Sequence, residues 1–96
     1  MTTFKLAHLH EQGQDMIIVP VNPSIGRKPQ HEQHALTEKL QNAATSAGLR
    51  GTVAIIWRDR HQIGFVAPRP WHPFFHSDHI YDLVLANLNR ELTVYD

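Results

Sequence analysis

The first part of the chain contains two stretches whose hydrophobic positions predict β-strands. TFKLAHLH alternates imperfectly between apolar and polar residues, and MIIVPV is an apolar run rich in β-branched side chains. The glycine-centred segment EQGQD lies between them, so the sequence predicts a β-hairpin. Pro20 cannot donate a backbone hydrogen bond, and it therefore marks a strand end, an edge or a bulge.

A helical pattern follows the loop NPSIGRKP. In QHEQHALTEKLQNAATSAGL the apolar side chains recur at the spacing of one helix face: Leu36, Leu40, Ala43, Ala44 and Ala47. Pro29 suits the first position of this helix. Gly48, with the apolar Leu49 after it, suits a left-handed C-terminal cap.

The second half of the chain predicts another hairpin and a last helix. GTVAIIWR is apolar on both faces, as in a central strand, and the turn DRHQ leads to a returning strand, IGFVA. The prolines of PRPWHPFF argue against a helix there. Ser77 is the predicted N-cap of a helix that has Asp78 in its first turn and continues to about Arg90. LTVYD either forms a short last strand or trails off.

These elements predict an α+β fold with the order ββαββα. A helix between parallel strands forms a right-handed crossover, and the two hairpins add antiparallel pairs. We therefore expect a two-layer sandwich, with a mixed four-stranded sheet and two helices on one face. A chain of 96 residues has the usual size of one domain, so residues 1–96 are expected to form a single domain.

Composition narrows the classes of function. The absence of cysteine excludes disulfides, thiolate metal sites and cysteine nucleophiles. A net charge of zero and a pI of about 7.1 argue against nucleic-acid binding, which usually needs a basic excess. The longest apolar run, VAIIW, is far shorter than the roughly twenty residues of a membrane-spanning helix. Since MTTFKLAHLHEQGQD has no signal-peptide pattern, we expect no membrane association and a cytoplasmic location.

Three of the eight histidines lie in the stretch WHPFFHSDHIYDL. His72, His76 and His79 are candidate zinc ligands that would leave one coordination position open, as in catalytic sites. Pro73 interrupts the helical register between the first two. A helix N-terminus disfavours an added cation near the third.

The same stretch has a simpler interpretation. Trp71, Phe74 and Phe75 form what we call the aromatic plug, three large side chains that cover an open side of the core. The serine, aspartate and histidine at 77–79 match the residue types of a hydrolase triad. Neighbours in sequence cannot form that relay, because it converges from separate segments. We favour the aromatic plug over a metal or catalytic site.

His31, His34 and Glu38 are a second possible metal-binding set. HEQH is one residue shorter than the zinc-protease motif H-E-x-x-H. The three side chains share a helix face, but this face lies opposite the apolar stripe, so we expect them to point to solvent.

Basic residues surround two predicted loops. Arg27 and Lys28 lie near a helix N-terminus, which suits an anion site, although the loop matches no phosphate-binding motif. Arg58, Arg60 and His61 surround the second hairpin turn and, beside a tryptophan, form a possible contact for single-stranded nucleic acid. An aspartate between the two arginines weakens that pattern.

The last helix has a wider apolar arc than a surface helix needs. Its apolar side chains span roughly 200° of the circumference, about twice the usual arc. Either the PRPWHPFF segment or a second subunit must cover the extra apolar side. We expect a homodimer. The predicted interface residues are Trp71, Phe74, Phe75, Tyr81, Leu85 and Leu88.

Two classes of function compete. We favour a non-catalytic binding or assembly module that self-associates, with no cofactor and room for an unidentified protein partner, because no catalytic signature is present. One alternative is a small histidine- or metal-dependent enzyme that uses the three C-terminal histidines. The other is a weak binder of anions or nucleic acid through Arg27, Lys28, Arg58 and Arg60.

Overall fold

The computed structural model describes residues 2–11, 13–77 and 79–95. These residues form a mixed five-stranded sheet, one long helix and two short ones. The elements are β1 Thr2–Glu11, β2 Gln14–Pro20, α1 Gln30–Ser46, β3 Thr52–Asp59, β4 Gln62–Val66, α2 His72–Phe75, α3 Ile80–Ala86 and β5 Arg90–Val94. None of these helices has both the length and the apolar character needed to span a membrane.

The strands lie in the order β4-β3-β2-β1-β5. The two predicted hairpins are confirmed, and β2 and β3 are parallel neighbours at the centre of the sheet. The predicted count of four strands is wrong, because β5 pairs with β1 in antiparallel orientation. β4 and β5 lie at opposite edges, so the chain between them crosses the whole sheet.

The helices lie on both faces of the sheet, and the expectation of two helices on one face is wrong. Alternate residues of a strand point to opposite faces. Val53 and Ile55 pack with Leu40 of α1, whereas Ala54 and Ile56 pack in a separate cluster with residues of α2 and α3. The connection from β4 to β5 therefore crosses the face that α1 leaves open. The fold is α+β, with a helical layer and an apolar core on each side of the sheet.

α1 has the predicted glycine cap and most of the predicted apolar stripe, but Ala47 is exposed just beyond the last helical residue. Leu40 and Ala44 are fully buried, and Pro29 lies just before the first helical residue. Gly48 has a φ of 81°, and the Leu49 amide donates a hydrogen bond of 2.9 Å to the Ala44 carbonyl oxygen. This geometry is a left-handed cap, and its apolar follower packs against the core.

The PRPWHPFF segment is helical, contrary to its prediction. A 3-10 helix at Arg69–Trp71 leads directly into α2. Pro70 and Pro73 occupy first-turn positions, where a helix has no internal hydrogen bond for the backbone amide to lose. The prolines are therefore compatible with two short helical turns.

The last helix begins later and ends earlier than predicted. Ser77 is not its N-cap, because the Ser77 hydroxyl donates to the Pro73 carbonyl oxygen at 3.3 Å and His79 directly precedes α3. The predicted first-turn residue Asp78 lies outside the described residues. α3 ends at Ala86, well before the predicted Arg90, because the chain must turn into β5.

Two glycines make room for a tryptophan on the α1 face. Trp57 is 8% exposed, and a Cβ atom at Gly26 would lie 2.6 Å from its Nε1 atom. A Cβ atom at Gly64, its partner across β3 and β4, would overlap the same ring. Glycine is required here for close approach of the backbone to the indole.

The end of the first hairpin carries a short charged contact. His10 Nδ1 lies 2.7 Å from Asp15 Oδ1. This hydrogen bond lowers the pKa of the Asp15 carboxyl below its ordinary value, and the nearby positive charge of His10 adds to the effect.

Candidate functional site

The β3–β4 hairpin places an arginine against α3. Arg58 follows Trp57 in β3, so the two side chains point to opposite faces of the sheet. The Arg58 guanidinium lies 4.7 Å from the centre of the Tyr81 ring, and its Nη1 atom is 3.4 Å from Asp82 Oδ1. Arg60, in the two-residue turn, has a φ of 60° at a position where hairpins usually have glycine or asparagine.

The connection between α2 and α3 supplies imidazoles. The His76 ring packs edge-on against Phe65, with centroids 5.2 Å apart. His79 has a left-handed φ of 62°, and its Nδ1 atom lies 3.8 Å from Asp82 Oδ2. Both imidazoles are largely exposed, so they are available to a ligand.

These two segments enclose a depression of about 510 Å³, which we call the cationic cleft. Its basic lining residues are Arg58, Arg60, His61, His76 and His79. The apolar part of its lining includes Ile63, Phe65, Phe75 and Ile80. Asp82 is the only acidic residue of the described chain that lines it. Among the described lining residues, two guanidiniums therefore face one carboxylate, so this part of the lining is positive without any contribution from its imidazoles.

Unusual backbone conformations mark the same cleft. Among the described residues, the two non-glycine residues with positive φ are Arg60 and His79, and both line it. Such conformations cost energy and concentrate at binding and active sites. A larger groove of about 710 Å³ passes Pro68, Pro70 and Trp71, but its lining within the described chain has a single charged residue, a glutamate. The cationic cleft is therefore the better candidate site.

The three histidines considered as zinc ligands are divided between two places. His76 and His79 line the cationic cleft and His72 does not. His72 is half-buried, and its Nε2 atom lies 3.0 Å from the Ala67 carbonyl oxygen. In the part of the chain that the structure describes, no three His, Cys, Asp or Glu side chains are arranged to hold a metal ion.

The other candidate metal-binding set lies on the open surface of α1, where His34 and Glu38 border a shallow depression of about 410 Å³. His31, His34 and Glu38 are all exposed on α1, as the helical period predicts. Their exposure gives no dry pocket in which a bound metal would act.

Arg27 and Lys28 lie on the α1 side of the sheet. Arg27 Nη2 is 3.4 Å from Asp59 Oδ2, and Lys28 is exposed at the end of the 3-10 helix Pro23–Arg27. Asp59 follows Arg58 in β3, so its carboxylate is on the α1 face, outside the cationic cleft. The aspartate expected to weaken the hairpin's positive charge is therefore paired with Arg27 and is not among the residues that line the cleft.

The predicted interface residues differ in their exposure. Trp71 and Phe75, two members of the aromatic plug, are 7% and 2% exposed and pack on the sheet face opposite α1. Phe74, Tyr81 and Leu88 are half-buried. Leu85 is 42% exposed, so the outer flank of α3 is the part of the predicted interface that a partner can reach.

The sequence shows the members of the cationic cleft but not their convergence. The hairpin arginines and the C-terminal histidines belong to separate segments, and only the path of the chain from β4 across the sheet brings them together. No protein-family model, curated protein or solved structure matches this chain. Its function is therefore inferred from its own residues and geometry.

Proposed function

We propose that the protein is a small, non-catalytic binding module whose site is the cationic cleft and whose ligand is negatively charged. One observation carries this proposal: five basic side chains from two separate segments line one cleft with a single described carboxylate. A lining of one predominant charge concentrates ligands of the opposite charge and guides their approach. The cytoplasmic location expected from the sequence is part of the same proposal.

The contacts in the cleft support binding in preference to catalysis. The Ser77 hydroxyl donates to a backbone carbonyl oxygen, whereas a nucleophilic serine needs a base within hydrogen-bond reach. The carboxylate of Asp82 faces Arg58 Nη1 at 3.4 Å and His79 Nδ1 at 3.8 Å, so it is engaged by basic side chains and not directed at a nucleophile.

An NMR titration tests the proposed site. We expect phosphate and citrate, added at constant ionic strength, to shift the amide signals of the β3–β4 turn and of residues 76–82. An Arg58→Gln/Arg60→Gln variant should lose these shifts. Arg27→Gln/Lys28→Gln removes the same charge on the opposite face and should keep them. Shifts spread over all surface cations, or none at all, contradict the proposal.

We also propose that the module self-associates through the flank of α3 that carries Tyr81 and Leu85. These residues are four positions apart and therefore neighbours on one side of the helix. Leu83 is 45% exposed but lies on the other flank. A two-fold homodimer that pairs the Leu85 flank with itself is the simplest assembly of this kind.

Sedimentation tests this assembly. At about 100 μM, where a dimer of micromolar affinity is largely formed, we expect the unmodified protein to be dimeric. Leu85→Glu should give a folded monomer, because Leu85 is exposed and the fold does not depend on it. Leu83→Glu introduces the same charge on the other flank and should leave the dimer intact. If the unmodified protein is monomeric at this concentration, the proposed self-association is wrong.

A further inference from the structure

We infer that the ligand of the cationic cleft is a phosphate dianion, free or as a monoester, and that Asp82 occupies its place while the cleft is empty. This inference rests on the proposed binding function and adds the chemical class of the ligand. It depends on the contacts of the Asp82 carboxylate and on the basic side chains of the cleft that this carboxylate does not contact.

The Asp82 carboxylate bridges the two walls of the cleft. Its Oδ1 atom is 3.4 Å from Arg58 Nη1, and its Oδ2 atom is 3.8 Å from His79 Nδ1. Each oxygen thus faces one basic side chain, at distances longer than a strong charge-assisted hydrogen bond. The side chain is 61% exposed, so it can leave for solvent at little cost.

The cleft holds more cationic groups than one carboxylate engages. Among the described residues, no side chain forms a hydrogen bond or an ion pair with the Arg60 guanidinium or the His61 ring. A phosphate monoester presents three acceptor oxygens and close to two negative charges. A guanidinium suits such oxygens because its N–H groups form a planar fork. Phosphate therefore matches the cleft in charge and in number of acceptors better than Asp82 does.

Tyr81 keeps Arg58 in place after Asp82 leaves. The guanidinium lies over the Tyr81 ring at 4.7 Å, a cation–π contact that does not use the carboxylate. Tyr81 is thus a positioning residue. Tyr81→Leu should weaken phosphate binding, whereas Tyr81→Phe retains the ring and should bind like the unmodified protein.

Two matched variants test whether Asp82 competes with the ligand. Asp82→Asn and Asp59→Asn each remove one exposed carboxylate 3.4 Å from an arginine, and they change the net charge equally. Only Asp82 lines the cleft. We expect Asp82→Asn to bind inorganic phosphate about two- to fivefold more tightly at constant ionic strength, as suits loss of an exposed competing ion pair. Asp59→Asn should bind it as the unmodified protein does.

The outcomes separate this inference from the proposed function. If phosphate binds in the cleft and Asp82→Asn gains nothing, or gains no more than Asp59→Asn, the inference is overturned while anion binding stands. If no anion binds there, both fail. Equal affinity for acetate and phosphate also overturns the inference.

Two further titrations distinguish the source of the phosphate. Tighter binding of glycerol 3-phosphate than of inorganic phosphate supports an esterified ligand, and the reverse order supports free phosphate. Preference for a single-stranded oligonucleotide without a terminal phosphate over both overturns the inference, because its backbone contains only phosphodiesters.

Discussion

The two faces of the sheet bury equally deep cores but are covered in different ways. Ile55 and Ile56 are neighbours in β3, face opposite layers and are both fully buried. One layer is α1, a single helix of 17 residues. The other is a 3-10 turn followed by helices of four and seven residues. Depth of burial therefore does not require a regular helix.

The difference in regularity explains where the cleft lies. A long helix presents one continuous apolar stripe to the sheet, and the depressions beside α1, of about 410 and 430 Å³, are smaller than the cationic cleft. On the other face, the left-handed residue between α2 and α3 interrupts the layer and leaves a space beside the β3–β4 hairpin. The irregular layer thus has two roles, as a cover for the core and as a wall of the candidate site.

The largest expected effect tests whether the irregular layer is true core. Phe75 is 2% exposed and stacks on Phe65 with centroids 5.0 Å apart. Phe75→Ala should lower the free energy of unfolding by about 3–5 kcal/mol, comparable to about 2–5 kcal/mol for Leu40→Ala on the α1 face. Urea denaturation measures both. Phe74→Ala, at the half-buried neighbour, is the control and should cost less. Equal losses at 74 and 75 would show that the burial difference has no energetic meaning.

A medium effect tests how closely the α1 face is packed. Gly64→Ala should cost about 1–3 kcal/mol, because the buried Trp57 ring must move to admit a methyl group. In a Trp57→Phe background the same substitution should cost less, since the smaller ring leaves space. Thermal or urea unfolding of the four proteins gives the coupling energy. Strict additivity would contradict the proposed contact.

The smallest effect concerns the charged contact at the end of the first hairpin, which lies on the α1 face. The folded-state pKa of Asp15 is lowered, so its contribution to stability is present above the unfolded pKa of about 3.9 and is lost as the pH falls through the folded pKa. Asp15→Asn should therefore be less stable than the unmodified protein near neutral pH, and the difference should vanish in acid. Urea midpoints between about pH 7 and pH 2 measure it. If the difference in stability between the two proteins grows as the pH falls, the lowered folded-state pKa of Asp15 is contradicted.

Local elements were predictable because the signals that define them are local. The period of α1 and the glycine cap that follows it are local in sequence, and the second hairpin closes over a two-residue turn. The sequence contains a signal against the expectation that both helices lie on one face of the sheet. The GTVAIIWR strand is apolar on both faces, and such a strand needs a helical layer on each side. The number of prolines in PRPWHPFF led to the wrong prediction that the segment is not helical. The position of each proline within a helical turn, and not the number of prolines, decides whether a helix forms.

The sequence shows which residue types form the candidate site but does not show that they meet in space. Arg58, Arg60 and the C-terminal histidines stand out by composition alone. Their meeting depends on the crossing of the chain from β4 to β5, which no local pattern encodes. No sequence signal predicts the left-handed conformation of His79.

The pairing of β5 with β1 has a consequence for the kinetics of folding. It joins strands whose residues Thr3 and Thr93 are 90 positions apart. Closing so large a loop lowers the chain entropy before stabilising contacts can form. Folding also slows as native contacts become less local. The Asn89 side chain extends this ladder by one step, with hydrogen bonds of 2.8 and 3.1 Å to the backbone N–H and C=O of His8. We therefore expect this edge of the sheet to assemble last and to set the folding rate, after both hairpins and α1 have formed from contacts close in sequence.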